Sequence, residues 1–138
     1  VFDRFAISVG GRPASLHVAV LDPEKERGLM QRPDLAGDEG MVFVDPKPTR
    51  LAIWMRNTPE PLDLGYLAAD GTLREVYGLL PYDERGVYSN AGDVQFALEM
   101  RRGWFAEHGV RPGARMDMAA LAAALRERGF TPGDFGIR

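Results

Sequence analysis

The chain has 138 residues, 45% of them apolar and 27% charged, which describes one self-sufficient globular domain and excludes a disordered chain. A net charge of −3 argues against a general nucleic-acid binder, and no apolar run approaches the roughly 18 residues of a membrane span. Cysteine is absent, so disulfide frameworks, thiolate metal sites and cysteine nucleophiles are ruled out.

Dense punctuation by 16 Gly and 10 Pro keeps the runs between breakers short and favours strands. Phe5–Val9 and Ala14–Val20 carry apolar residues at two-residue spacing around Gly10-Gly11, so each buries one face and His17 points to solvent. Asp22-Pro23 starts a short helix that runs to about Arg32, with Asp22 as its cap. Met41–Val44, Leu51–Met55 and Leu62–Ala68 read as strands, and Asp70-Gly71 turns the chain into Thr72–Tyr77. A long loop from Gly78 to Gly92 leads to Val94–Met100, which alternates as another strand. Trp104–Glu107 forms one helical turn, Ala114–Met118 a last strand, and Ala119–Arg128 a helix stopped by Gly129. The tail from Thr131 is expected to be loose. The predicted fold is mainly β: a single-domain β-sandwich or barrel-like fold with two or three short helices. Residues 1–118 form its body, and the helix and tail of 119–138 pack on the same domain.

Fifteen of the 17 basic residues are Arg, with only Lys25 and Lys47 as exceptions. Guanidinium forks pair bidentately with carboxylates and anions, although a GC-rich genome produces the same bias. The first residue is Val1, which suggests a mature form freed of a leader. Lack of cysteine is compatible with an oxidising compartment. Neither feature by itself places the chain in a compartment.

Three strings stand together: Glu26-Arg27-Gly28-Leu29-Met30-Gln31-Arg32, Gly40-Met41-Val42-Phe43, and Trp54-Met55-Arg56-Asn57-Thr58 followed by Pro61-Leu62-Asp63. Their order and spacing closely resemble the prokaryotic family called domain of unknown function 192, over about residues 15–118. The resemblance implies a compact β-rich domain of sandwich or barrel type, often carried behind a secretion or lipoprotein leader; with Val1 as the first residue, this makes a periplasmic or secreted location the expectation. It implies no activity.

The residues themselves suggest a site. Arg27, Arg32, Arg56, Asp63 and Glu99 could converge to hold a small anionic or polyhydroxylated ligand, with Trp54 as a flat stacking face and Asn57 and Thr58 at the rim. The same residues could instead form an internal ion-pair network, with Arg56 buried against Asp63 across the Asn57–Pro61 turn. In that case Arg56→Ala would cost roughly 3–5 kcal/mol. An acid–base enzyme would draw on Asp63 and Glu99, and a purely structural or protein-binding domain is the third reading. Met30, Met41 and Met55 read as core, and His17 and His108 lack metal-ligand spacing. No nucleophile elbow or phosphate loop occurs. No catalytic set, metal or cofactor is expected, and the expected partner is a small molecule.

Overall fold

The computed structural model describes residues 4–29 and 37–138, so Met30 and Arg32 lie outside the described residues. The strands are β1 (Phe5–Ala6), β2 (Ser15–Ala19), β3 (Glu39–Thr49), β4 (Ala52–Ile53), β5 (Leu62–Ala68), β6 (Leu73–Leu79), β7 (Val87–Tyr88) and β8 (Val94–Arg101). Helices α1 (Asp22–Arg27), α2 (Trp104–Glu107) and α3 (Met118–Glu127) and a final 3-10 turn, Pro132–Phe135, complete the chain. Six strands form one sheet in the order β1-β2-β3-β8-β5-β6, and β4 pairs with β7 in a second, small sheet. Among the described strands only the β2–β3 pairing is parallel.

The protein is mainly β, as expected, but the large sheet does not close into a barrel. Its edges are β1 and β6, and the gap beside them is spanned by residues 113–117. These take backbone hydrogen bonds from both sides: Gly10 N–H donates to the Arg115 carbonyl at 2.8 Å, and Leu73 N–H donates to the Ala114 carbonyl at 2.8 Å. The predicted last strand is therefore two isolated bridges, Thr72 to Arg115 and Val9 to Met116. A segment that switches neighbours within two residues satisfies its polar groups without building a ladder.

Both faces of the sheet are buried. Val42, Val44, Phe96, Leu98 and Met100 point into a core closed by Trp104 of α2 and Leu121 and Leu125 of α3. Met41, Phe43, Leu64, Tyr66 and Ala97 point the other way, into a second core under Ile53, Met55 and Val87. This overturns the expectation for His17. It is buried on β2, with Nε2 3.3 Å from Glu39 Oε2, because its face of the sheet is covered too.

Other boundaries shift for local reasons. Helix α1 is shorter than expected and is not capped by Asp22. Glu24 Oε1 instead accepts the backbone N–H groups of Val20 (3.0 Å) and Leu21 (2.9 Å), filling the role of a cap from inside the first turn. Arg128 at the end of α3 grips the same carboxylate, with Nη2 2.5 Å from Glu24 Oε2, and so ties the C-terminal helix to α1. Burial works to raise the Glu24 pKa, but these hydrogen bonds outweigh it and hold the carboxyl below its ordinary range. The tail is not loose. Gln95 Nε2 donates to the Phe135 carbonyl at 2.7 Å, and Ile137 is buried in the first core.

Candidate functional site

Glu99 organises the site. It lies on β8, opposite Met41 on β3 and Leu64 on β5, so its nearest cross-strand neighbours are apolar. Alternation along Val94–Met100 would put Glu99 on a solvated face, yet the small sheet and α1 cover that face. The residue is only 3% exposed. Among the described residues its carboxylate has no hydrogen bond or ion pair, and burial alone pushes its pKa up to about 8. A carboxyl in that setting is neutral near pH 7 and carries a proton it can donate.

Above Glu99 is a pocket of about 240 Å³, below the roughly 300–1,000 Å³ of drug-sized sites, so it suits a molecule of few atoms. Apolar walls come from Leu29, Phe43, Leu51, Ile53 and Ala97, and polar groups from Lys25, Asp45 and Thr58. Glu26, Arg27, Trp54 and Arg56 line both this pocket and a shallower groove outside it that reaches Pro23 and Asn57. These four exposed residues therefore form the neck between pocket and groove.

The recurring strings now have physical reasons. Gly28 ends α1 with φ at +48°, a left-handed conformation that favours glycine, and a Cβ there would meet the Phe43 ring at 3.4 Å. The turn presents Arg27 to the neck while burying Leu29 in the second core. After β4, Trp54 is 44% exposed, Met55 is buried, and the Arg56 guanidinium lies 5.5 Å from the Trp54 ring centroid. Asn57 takes a positive φ of 55°, which its short side chain tolerates. Thr58 Oγ1 then donates to the Arg56 carbonyl at 3.2 Å and locks the turn.

The loop that follows is pinned over the sheet. Tyr66 O–H donates to the Val87 carbonyl. The Glu75 carboxylate accepts the N–H groups of Asn90 and Ala91, both at 2.8 Å. Burial drives the Tyr66 pKa up, with a smaller contribution from the Glu99 and Glu75 charges.

Of the predicted site residues, Arg27, Trp54, Arg56, Asn57, Thr58 and Glu99 gather around the pocket and its groove. Arg32 lies outside the described residues. Asp63 does not join them. It pairs in register with Met100, one position from Glu99, so the two carboxylates point to opposite faces of the sheet and cannot act as an acid–base pair. Asp63 accepts the Gly103 N–H at 2.9 Å and lies 3.5 Å from Arg102 Nε. The expected buried Arg56–Asp63 pair is replaced by these contacts. Arg56 is exposed and stacked, so Arg56→Ala is expected to cost under about 1 kcal/mol in a urea melt. A loss of about 3 kcal/mol or more would restore the network reading.

Lys25 and Asp45 were missed as site residues. They form an ion pair at 2.9 Å across the pocket wall, joining α1 to β3. Their only sequence signal is proximity to the buried flanks Leu29 and Phe43, which says nothing about pairing over 20 positions. Among the described residues no group of three or more His, Asp or Glu could hold a metal ion. No helix among them is long and apolar enough to cross a membrane.

Comparison with known proteins gives a consistent picture. A search of curated proteins finds no match. A crystal structure from Sinorhizobium meliloti, described as that of a candidate transcription regulator, is 32% identical. It superposes with a TM-score of 0.78 over 82% of this chain and 92% of its own. A protein of unknown function from Novosphingobium aromaticivorans is 30% identical, with a TM-score of 0.77 over 82% of this chain and 84% of its own. The family model described as an uncharacterized ACR matches residues 5–118, and the chain belongs to that family, domain of unknown function 192.

Proposed function

We propose that the protein is a small-molecule-binding domain whose pocket takes an anionic ligand, with Arg27 and Arg56 at the neck and Glu99 on the floor. The observation that carries this reading is Glu99. A buried carboxyl with no hydrogen bond or ion pair among the described residues is costly for the fold, and such groups concentrate at functional sites. The two guanidiniums support the charge of the ligand. Neither has an ion-pair partner among the described residues, and both face one opening. Trp54 supplies a face for the ligand's body.

The test is calorimetric titration of the chain with small carboxylates, phosphates and saccharides, beside an Arg27→Ala/Arg56→Ala double variant. Both arginines are exposed, so the variant is expected to keep its fold. Carboxylate or phosphate binding weakened at least tenfold in the variant is the expected result. Equal binding by both proteins would place the ligand elsewhere.

The raised pKa of Glu99 also favours a second reading, in which the carboxyl acts as a general acid toward the bound molecule. That reading predicts consumption of a bound compound by the wild type and not by Glu99→Gln, followed by proton NMR of the compound. An extracytoplasmic location is part of the proposal; a chain without cysteine is compatible with an oxidising compartment, and cell fractionation tests the location.

A further inference from the structure

We infer that the ligand is a small hydroxy acid or oxo acid, with its carboxylate at the arginine neck, a short apolar body, and a hydroxyl or carbonyl at the far end that accepts a hydrogen bond from the Glu99 carboxyl. This rests on the anion-binding reading above and adds the chemistry of the ligand's other end.

The pocket is graded from neck to floor. Arg27 and Arg56 stand where the outer groove meets the inner cavity. Leu29, Phe43 and Ala97 are buried walls, and Glu99 and Thr58 are the buried polar groups among the lining residues, the Thr58 hydroxyl being taken up by the Arg56 carbonyl. A purely apolar tail reaching the floor would displace water from Glu99 and leave its polar atoms unmatched. That mismatch costs about ten- to a hundredfold in affinity. An ammonium at the far end would suit an ionised Glu99, but it must pass two guanidiniums against the one carboxylate of Glu26 at the neck, and it would meet a protonated carboxyl on the floor. A neutral acceptor faces neither difficulty.

The charged and titratable groups around Glu99 agree with a neutral carboxyl. Helix α1 presents Lys25, Glu26 and Arg27, β3 presents Asp45, the turn after β4 presents Arg56, and β5 presents Tyr66. Lys25 and Asp45 largely offset each other at 2.9 Å. Among the described residues no cation opposes the effect of burial, which places the Glu99 pKa at about 8. Binding that needs the donated proton therefore persists at neutral pH and weakens in alkali.

The experiment compares δ-hydroxyvalerate, 5-oxohexanoate, valerate and δ-aminovalerate by titration calorimetry on the whole chain, at about pH 6.5 and about pH 9.5. At the lower pH the hydroxy acid is expected to bind at least tenfold more tightly than valerate. The advantage should vanish in Glu99→Leu, and for 5-oxohexanoate, whose carbonyl can only accept, it should vanish at the higher pH as well, whereas a hydroxyl can turn to donate to the ionised carboxylate. The advantage should survive without pH dependence in Glu99→Gln, whose amide still donates. Valerate binding as tightly as the hydroxy acid overturns this inference and leaves the anion-binding reading intact. Preference for the amino compound overturns the neutral donor. Failure of all four acids to bind overturns this inference, and if the carboxylates and phosphates of the broader panel also fail, the anion-binding reading falls with it.

Discussion

The wild-type chain is expected to lose stability as pH rises from about 4.5 to about 8, and Glu99→Gln is expected to remove most of that slope. The Glu99 carboxyl titrates near 4.5 in the unfolded chain and near 8 in the fold, so between those values the native state binds the extra proton. Stability therefore falls with pH across this window. Below it the carboxyl is neutral in both states, and above it the fold carries a buried charge. The interval corresponds to at most about 5 kcal/mol at pH 9 relative to pH 4. Urea melts of both proteins at about pH 5 and about pH 9 would check it, and the variant should be several kcal/mol more stable than wild type at the alkaline end. Parallel pH profiles for the two proteins would show that Glu99 is ionised and well hydrated in the fold. Other carboxyls do not confuse the result. Glu24 and Glu75 are held below their ordinary range, so their contributions are present above about 4.5 and are lost only as pH falls further.

Gly40→Ala is expected to be among the most damaging single changes. A Cβ there would lie 2.3 Å from Met100 Sδ and 2.4 Å from the Glu99 carbonyl oxygen, with Leu16 at 3.3 Å. The methionine can move, but the carbonyl belongs to the backbone of β8, which pairs directly with β3. Relief requires the two central strands to part, placing the cost at or beyond the upper end of the roughly 1–3 kcal/mol typical of overpacking. The strain also falls on the carbonyl of Glu99 itself, so ligand binding and stability should suffer together. Gly92→Ala is the control, because its added carbon meets nothing within 4 Å. Thermal denaturation of the pair should separate them by about 10 °C or more, taking roughly 4 °C per kcal/mol for a chain of this size. A Gly40→Ala protein as stable as the control would mean that β3 and β8 lie farther apart than described.

The glycine at position 40 shows what one sequence conveys. Gly40-Met41-Val42-Phe43 is legible as a strand, but the need for glycine depends on which strand comes to lie alongside. That partner is 60 residues away in the chain. Position 99 carries the same lesson. Its alternation within Val94–Met100 is visible, and alternation alone assigns Glu99 to a wet face. Only the placement of α1 and the β4–β7 sheet over that face makes the carboxyl buried and neutral. The sequence offers Asp63 and Glu99 as one pair of carboxylates, and register decides against the pair by a single residue.

The sequence by itself determined the local units. Strand and helix periodicity, the Asp70-Gly71 turn and the glycine stop at 129 depend on contacts within a few residues. The arginine-glycine-leucine and tryptophan-methionine-arginine-asparagine-threonine strings are local too, and they mark where the site would be. The tertiary structure alone decided which faces are covered, which strands are neighbours, and that residues 113–117 bridge two sheet edges without forming a strand. It also decided that Arg56 stacks in the open while Glu99 is desolvated. Burial and pairing arise from groups far apart in the chain meeting across the sheet, and neither periodicity nor spacing encodes which groups meet.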